Sequence, residues 1–115
     1  MTETPPLSGT DKVPQPPADR PVVIMALYKF TALPAFEALR PPLQTAARKA
    51  GVLGTILLAH EGINGTLAGR RDAISNFLNR LESEPAIGAL DVKFSFAEEQ
   101  PFYRMKVRLK KEIVT

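Results

Sequence analysis

Val52-Leu53-Gly54-Thr55-Ile56-Leu57-Leu58-Ala59-His60-Glu61-Gly62-Ile63-Asn64-Gly65-Thr66-Leu67-Ala68 joins two apolar segments through a glycine-rich turn. Residues 52–59 form an apolar run of strand length. The glycine-rich segment after it carries a tight-turn signal, with Glu61-Gly62 and Asn64-Gly65 as the two candidate turns. Thr66-Leu67-Ala68 then returns beside the first strand, and Gly69 ends the unit. This reading sets strands over 52–59 and 65–68.

A helical pattern lies on each side of the hairpin. Phe36, Leu39, Leu43, Ala46, Ala47 and Ala50 recur at helical spacing, and Gly51 closes that element. Pro34 suits the first helical position. Pro41 and Pro42 each lack a donor, which predicts a kink or a fresh helix start there. On the other side, Ile74, Phe77, Leu78 and Leu81 form an i, i+3, i+4, i+7 stripe, and Pro85 and Gly88 stop it. The helices are expected over much of 35–50 and 71–84. Residues 22–30 form a continuous apolar run, expected as a central strand buried on both faces. Val92, Phe94 and Phe96 alternate with Lys93 and Ser95, predicting a strand over 91–97. Met105, Val107 and Leu109 alternate with Arg104, Lys106, Arg108 and Lys110, predicting a last strand over 104–110 with a basic outer face. Strand, helix, strand, strand, helix, strand, plus a terminal strand, gives an α+β class. Its best architecture is a ferredoxin-like (acylphosphatase-like) sandwich, a mostly antiparallel sheet with two helices on one face. That plan serves many functions and selects none.

The chain has 115 residues, room for one small domain. Residues 1–21 hold six of the eleven prolines and are expected as a flexible proline-rich tail, with the folded domain over 22–115. The absence of cysteine excludes a disulfide scaffold, a thiolate metal site and a cysteine nucleophile in this chain. No apolar run is long enough to span a membrane, and residues 1–20 show no signal-peptide core. The net charge is +3, and five cations gather at Arg104, Lys106, Arg108, Lys110 and Lys111, compatible with a nucleic-acid partner.

Candidate chemistry is sparse. His60 and Glu61 are too few for a metal site, and adjacent strand residues point to opposite faces, so no metal is expected. Gly62, Gly65 and Gly69 match neither a Walker loop nor a dinucleotide fingerprint. Turn glycines account for them, although a backbone anion nest helped by Arg70 and Arg71 near a helix N-terminus is physically open. Acylphosphatase chemistry needs an arginine and an asparagine around the phosphoryl group. The first loop, Thr31-Ala32-Leu33-Pro34, has no arginine, and Asn64 alone does not restore the site. The aromatic signature of an RNA-recognition domain is missing from the third strand.

Three segments carry a family resemblance: Tyr28-Lys29-Phe30, the run from Gly54 through His60-Glu61-Gly62-Ile63-Asn64-Gly65 to Thr66, and Lys106-Val107-Arg108-Leu109-Lys110-Lys111-Glu112-Ile113-Val114. Together they resemble the N-terminal domain of the bacterial rhodanese-domain tRNA uridine hydroxylases, over roughly residues 22–115. The resemblance implies a ferredoxin-fold domain followed by a rhodanese domain. It also implies an oxygen-dependent hydroxylation of wobble uridine to 5-hydroxyuridine by the full protein in the cytoplasm. The family's activity-linked cysteine belongs to the rhodanese domain and has no counterpart here. The implied role of this domain is non-catalytic, with no cofactor of its own, assisting tRNA binding through Arg104, Lys106, Arg108, Lys110 and Lys111. The alternative is a module that packs on the rhodanese domain and shapes its cleft without touching RNA.

Overall fold

The computed structural model describes residues 12–111. Its elements are β1 (Val22–Phe30), α1 (Phe36–Ala50), β2 (Leu53–Ala59), β3 (Gly62–Gly69), α2 (Arg71–Glu82), β4 (Asp91–Ala97) and β5 (Met105–Leu109). The sheet order is β4-β1-β3-β2-β5. β1 pairs antiparallel with β3 and β4, and β2 antiparallel with β3. β5 joins the edge of β2 in parallel, so the sheet is mixed. The first four strands in this order, with two helices packed on the sheet, make the acylphosphatase-like ferredoxin fold.

One core holds the layers together. Val23, Met25 and Leu27 of β1, Ile56 and Leu58 of β2, Ile63 and Leu67 of β3, and Met105 and Val107 of β5 are buried against α1 and α2. From α1 come Phe36, Leu43 and Ala47. From α2 come Ile74, Phe77, Leu78 and Leu81, the stripe expected from its spacing. β1 is central, as its apolar run suggested, but it is not buried on both faces. Ala26 and Phe30 are exposed, and Val22, Ile24 and Tyr28 are half-buried. Both helices lie on one side, so alternate residues of β1 face an uncovered surface.

Three local details are set by the structure. α1 starts at Phe36 and runs through Pro41 and Pro42, with Pro34 in the turn before it. Both internal prolines sit on the exposed side. The carbonyls that would have bonded to their missing N–H groups belong to Glu37 and Ala38, also exposed. The buried stripe of Phe36, Leu43 and Ala47 holds the helix across that gap. The hairpin turns at His60-Glu61, so β3 begins at Gly62 rather than at residue 65. Finally, the described part of the proline-rich segment lies on the domain. Val13 is 1% exposed within the core, and Lys12 binds the Glu82 carboxylate and the Leu90 carbonyl. Residues 1–11, most of the expected tail, lie outside the described residues.

Candidate nucleic-acid interface

The uncovered face of the sheet is built by register. Lys93, Ala26, Thr66, Thr55 and Lys106 form one cross-strand row from β4 to β5. Asp91, Tyr28, Asn64, Leu57 and Arg108 form the next. Strands lie about 4.8 Å apart, so each row spans roughly 19 Å. Lys106 and Arg108 end these rows and are exposed, while Met105 and Val107 between them are buried. The Gly54 N–H donates to the Arg104 carbonyl at 2.8 Å, and the Lys110 N–H to the Leu58 carbonyl at 2.8 Å. These bonds extend the β2–β5 ladder at both ends. Arg104, Lys106, Arg108 and Lys110 therefore make one line of exposed cations, about 6–7 Å apart, along a sheet edge. Lys111 is exposed beside them.

The chain between β4 and β5 has to travel from one sheet edge to the other. Gln100 pins this crossing. Its Nε2 donates to the Ala68 carbonyl at 3.0 Å, and its Oε1 accepts from the Phe102 N–H at 3.1 Å. Phe102 borders a depression of about 250 Å³ with Thr55, Leu57, Asn64 and Thr66. Tyr103, 93% exposed, borders another of about 250 Å³ with Phe102, Thr55, Arg104 and Lys106. Sequence reasoning missed both aromatics, because strand alternation does not give strand order. A larger depression of about 410 Å³ lies over Ala26, Tyr28, Thr66, Asp91 and Lys93. Among the described residues, the buried Tyr28 hydroxyl has no hydrogen-bond partner. Burial, and secondarily the Glu61 carboxylate, pushes its pKa above the ordinary tyrosine range. Phe30 packs edge-on against its ring, with centroids 5.0 Å apart.

The glycine-rich motif has a different task. The Thr31 N–H donates to the Glu61 carbonyl at 2.9 Å and the Leu33 N–H to the His60 carbonyl at 2.8 Å, tying the first loop to the hairpin turn. Those two loop donors are thereby occupied rather than forming a phosphate cradle. The His60 ring packs on Phe36 with centroids 4.6 Å apart. Gly62, at φ +154°, lies where a Cβ would stand 2.1 Å from the Lys29 carbonyl oxygen. At Gly65 a Cβ would stand 2.6 Å from the Thr55 carbonyl oxygen. Both glycines serve close strand approach.

Arg70 and Arg71 sit beyond the far end of β3, roughly 25–30 Å from the His60-Glu61 turn. Arg70 is 3.8 Å from Asp72, and the Arg71 Nε donates to the Val13 carbonyl at 3.0 Å. The sequence grouping of the motif with these arginines is thus split across the sheet. Among the described residues, no three His, Cys, Asp or Glu side chains gather as metal ligands.

A family model described as the UPF0176 acylphosphatase-like domain matches residues 22–113. The chain belongs to that family. Relatives of this UPF0176 domain include two proteins named tRNA uridine(34) hydroxylase. The one from Mesorhizobium japonicum is 54% identical over 96 residues, 84% of this chain and 31% of its own length. The one from Teredinibacter turnerae is 53% identical over 93 residues, 81% of this chain and 29% of its own length. The chain thus spans about a third of the relatives it matches. Among solved structures, the UPF0176 domain is similar to the BLUF protein BlrB at a TM-score of 0.65 and 15% identity, over 79% of this chain and 74% of that one. It is also similar to an acylphosphatase from Coxiella burnetii at 0.54 and 15% identity, over 77% and 92%. Likeness at that identity speaks for the fold alone. Among the described residues, no helix is long and apolar enough to cross a membrane.

Proposed function

We propose that this chain is the N-terminal, non-catalytic domain of an oxygen-dependent tRNA uridine(34) hydroxylase, and that its β5 edge helps hold the tRNA. The names of the relatives support the first part. The line of exposed cations at Arg104, Lys106, Arg108 and Lys110 carries the second. Such a line follows a phosphate backbone without reading bases, so it raises affinity and leaves the choice of nucleotide elsewhere. The hydroxylation of wobble uridine to 5-hydroxyuridine, and the cysteine linked to it, belong to the rhodanese domain in this reading. The protein then works in the cytoplasm, where tRNA is.

One observation favours a second reading for one end of the sheet. Phe30 is 60% exposed and Leu109 38% exposed, both at the hairpin end. This apolar end suits packing on the rhodanese domain. The two readings separate in the full-length protein carrying Lys106→Ala and Arg108→Ala. Loss of two phosphate contacts weakens tRNA binding and shallows the log–log salt dependence by about 1.4–1.8. Unchanged affinity and slope, with looser domain packing in protease protection, would refute the phosphate reading.

A further inference from the structure

We infer that Tyr103 is a stacking platform for an unpaired base whose flanking phosphates lie on Arg104 and Lys106. This rests on the nucleic-acid reading of the β5 edge and adds a base-contacting residue to it. Tyr103 is the most exposed large hydrophobic side chain of the described residues, at 93%. A single exposed aromatic needs no explanation by itself. Three further features distinguish this one. First, its segment is fixed, because Gln100 bridges the Ala68 carbonyl of β3 and the Phe102 N–H. The ring is therefore presented from a pinned crossing.

Second, Tyr103 borders a depression whose other walls are Phe102, Gly54, Thr55, Arg104 and Lys106. Gly54 contributes no side chain there, Thr55 a hydroxyl, and Phe102 an apolar wall. Third, Arg104 and Lys106 stand one strand repeat apart, about 6–7 Å, so two cations border the same depression as the ring. Aromatic rings interleaved with a cationic track are how single strands are held without sequence readout: phosphates follow the charge and bases stack. Charge selects the occupant. An acidic, single-stranded nucleic acid fits this edge better than an apolar protein surface, which would have to desolvate Arg104 and Lys106.

The test uses the 115-residue chain and two probes of equal charge, a uridine hexanucleotide and an abasic ribose-phosphate hexamer. The wild type is expected to bind the base-bearing probe more tightly. Tyr103→Ala should weaken that probe by about five- to a hundredfold while leaving the abasic probe and the salt slope unchanged. Tyr103→Phe keeps the ring and should retain binding. The side chain is exposed, so the variants should unfold at the wild-type urea midpoint. Equal affinity for both probes in the wild type would overturn the stacking proposal. So would a Tyr103→Ala variant that binds the base-bearing probe as the wild type does, as expected of a protein-docking surface. In either case salt-dependent binding lost in Lys106→Ala/Arg108→Ala would leave the phosphate reading standing. Failure of both probes to bind overturns the stacking proposal together with a phosphate-binding role for the isolated domain.

Discussion

Replacing Gly62 by alanine tests whether the glycine-rich motif is a packing device. The added Cβ would sit 2.1 Å from the Lys29 carbonyl oxygen and 3.1 Å from the Phe30 Cα, both backbone atoms. Contacts under 3.0 Å are essentially never seen, so β1 and β3 have to part by about an ångström. No side chain can rotate away to relieve this. Parting the strands strains the neighbouring bonds from Thr31 to Glu61 and from Leu33 to His60. Each such bond contributes about 1 kcal/mol net. The φ of +154° adds a backbone cost of about 1–2 kcal/mol for a residue with a Cβ. The expected loss is about 2–4 kcal/mol. Gly65→Ala has a 2.6 Å backbone clash but no positive φ, so it should lose less, about 1–3 kcal/mol from overpacking. Urea denaturation followed by far-ultraviolet circular dichroism measures both. A Gly62→Ala protein within about 0.5 kcal/mol of wild type, the range of neutral surface changes, would refute the close approach.

Two other expectations follow from the core and from the buried phenol. Phe77, 1% exposed, should lose roughly 3–5 kcal/mol on truncation to alanine, whereas exposed Asn79→Ala should change stability by less than about 1 kcal/mol; equal denaturation midpoints would contradict the assigned helical face. Tyr28→Phe removes a buried hydroxyl that has no partner among the described residues, so at neutral pH the variant should be as stable as wild type or more so. Because the raised pKa favours the neutral phenol in the fold, its stabilising share is present below the ordinary tyrosine pKa and lost as pH rises through the higher folded value. The alkaline fall in midpoint should therefore be smaller in Tyr28→Phe, and an identical alkaline profile would refute burial of that group.

Much of the fold was legible because hydrophobic period changes along the chain. The α2 stripe and the alternation of Met105 and Val107 with Lys106 and Arg108 map directly onto burial. What was not legible has physical reasons. The unbroken apolar run of β1 predicts burial on two faces, yet Ala26 is small and Tyr28 amphipathic, and both tolerate an uncovered face. The proline pair predicts a kink or a fresh start; the helix begins before it, at Phe36, because buried residues before and after it outweigh two missing bonds. Glycine pairs signal the turn in the sequence, whereas Gly62 and Gly65 are both spent on strand contact. The basic edge was visible as alternation. Its neighbours Phe102 and Tyr103 were not, because only the sheet order shows that the β4–β5 connection must cross to reach that edge.

The motif and the cationic edge are coupled through register. Gly62 and Gly65 let β3 approach β1 on one side and β2 on the other, and the β2 backbone in turn sets the position of β5. A strand that slips by one residue exchanges its two faces. In β5 such a slip would carry Lys106 and Arg108 into the layer now filled by Met105 and Val107. It would also turn those apolar side chains to solvent. Burying two unpaired cations is far costlier than any gain from the slipped ladder, so the register is strongly held. The glycines thus act on the basic edge from two strands away, through the geometry that keeps its charges outward. A change at Gly62 that leaves the protein folded should for the same reason leave the line of Arg104, Lys106, Arg108 and Lys110 intact. Its effect on RNA binding should then track the fraction of folded protein, with an unchanged salt slope among the folded molecules.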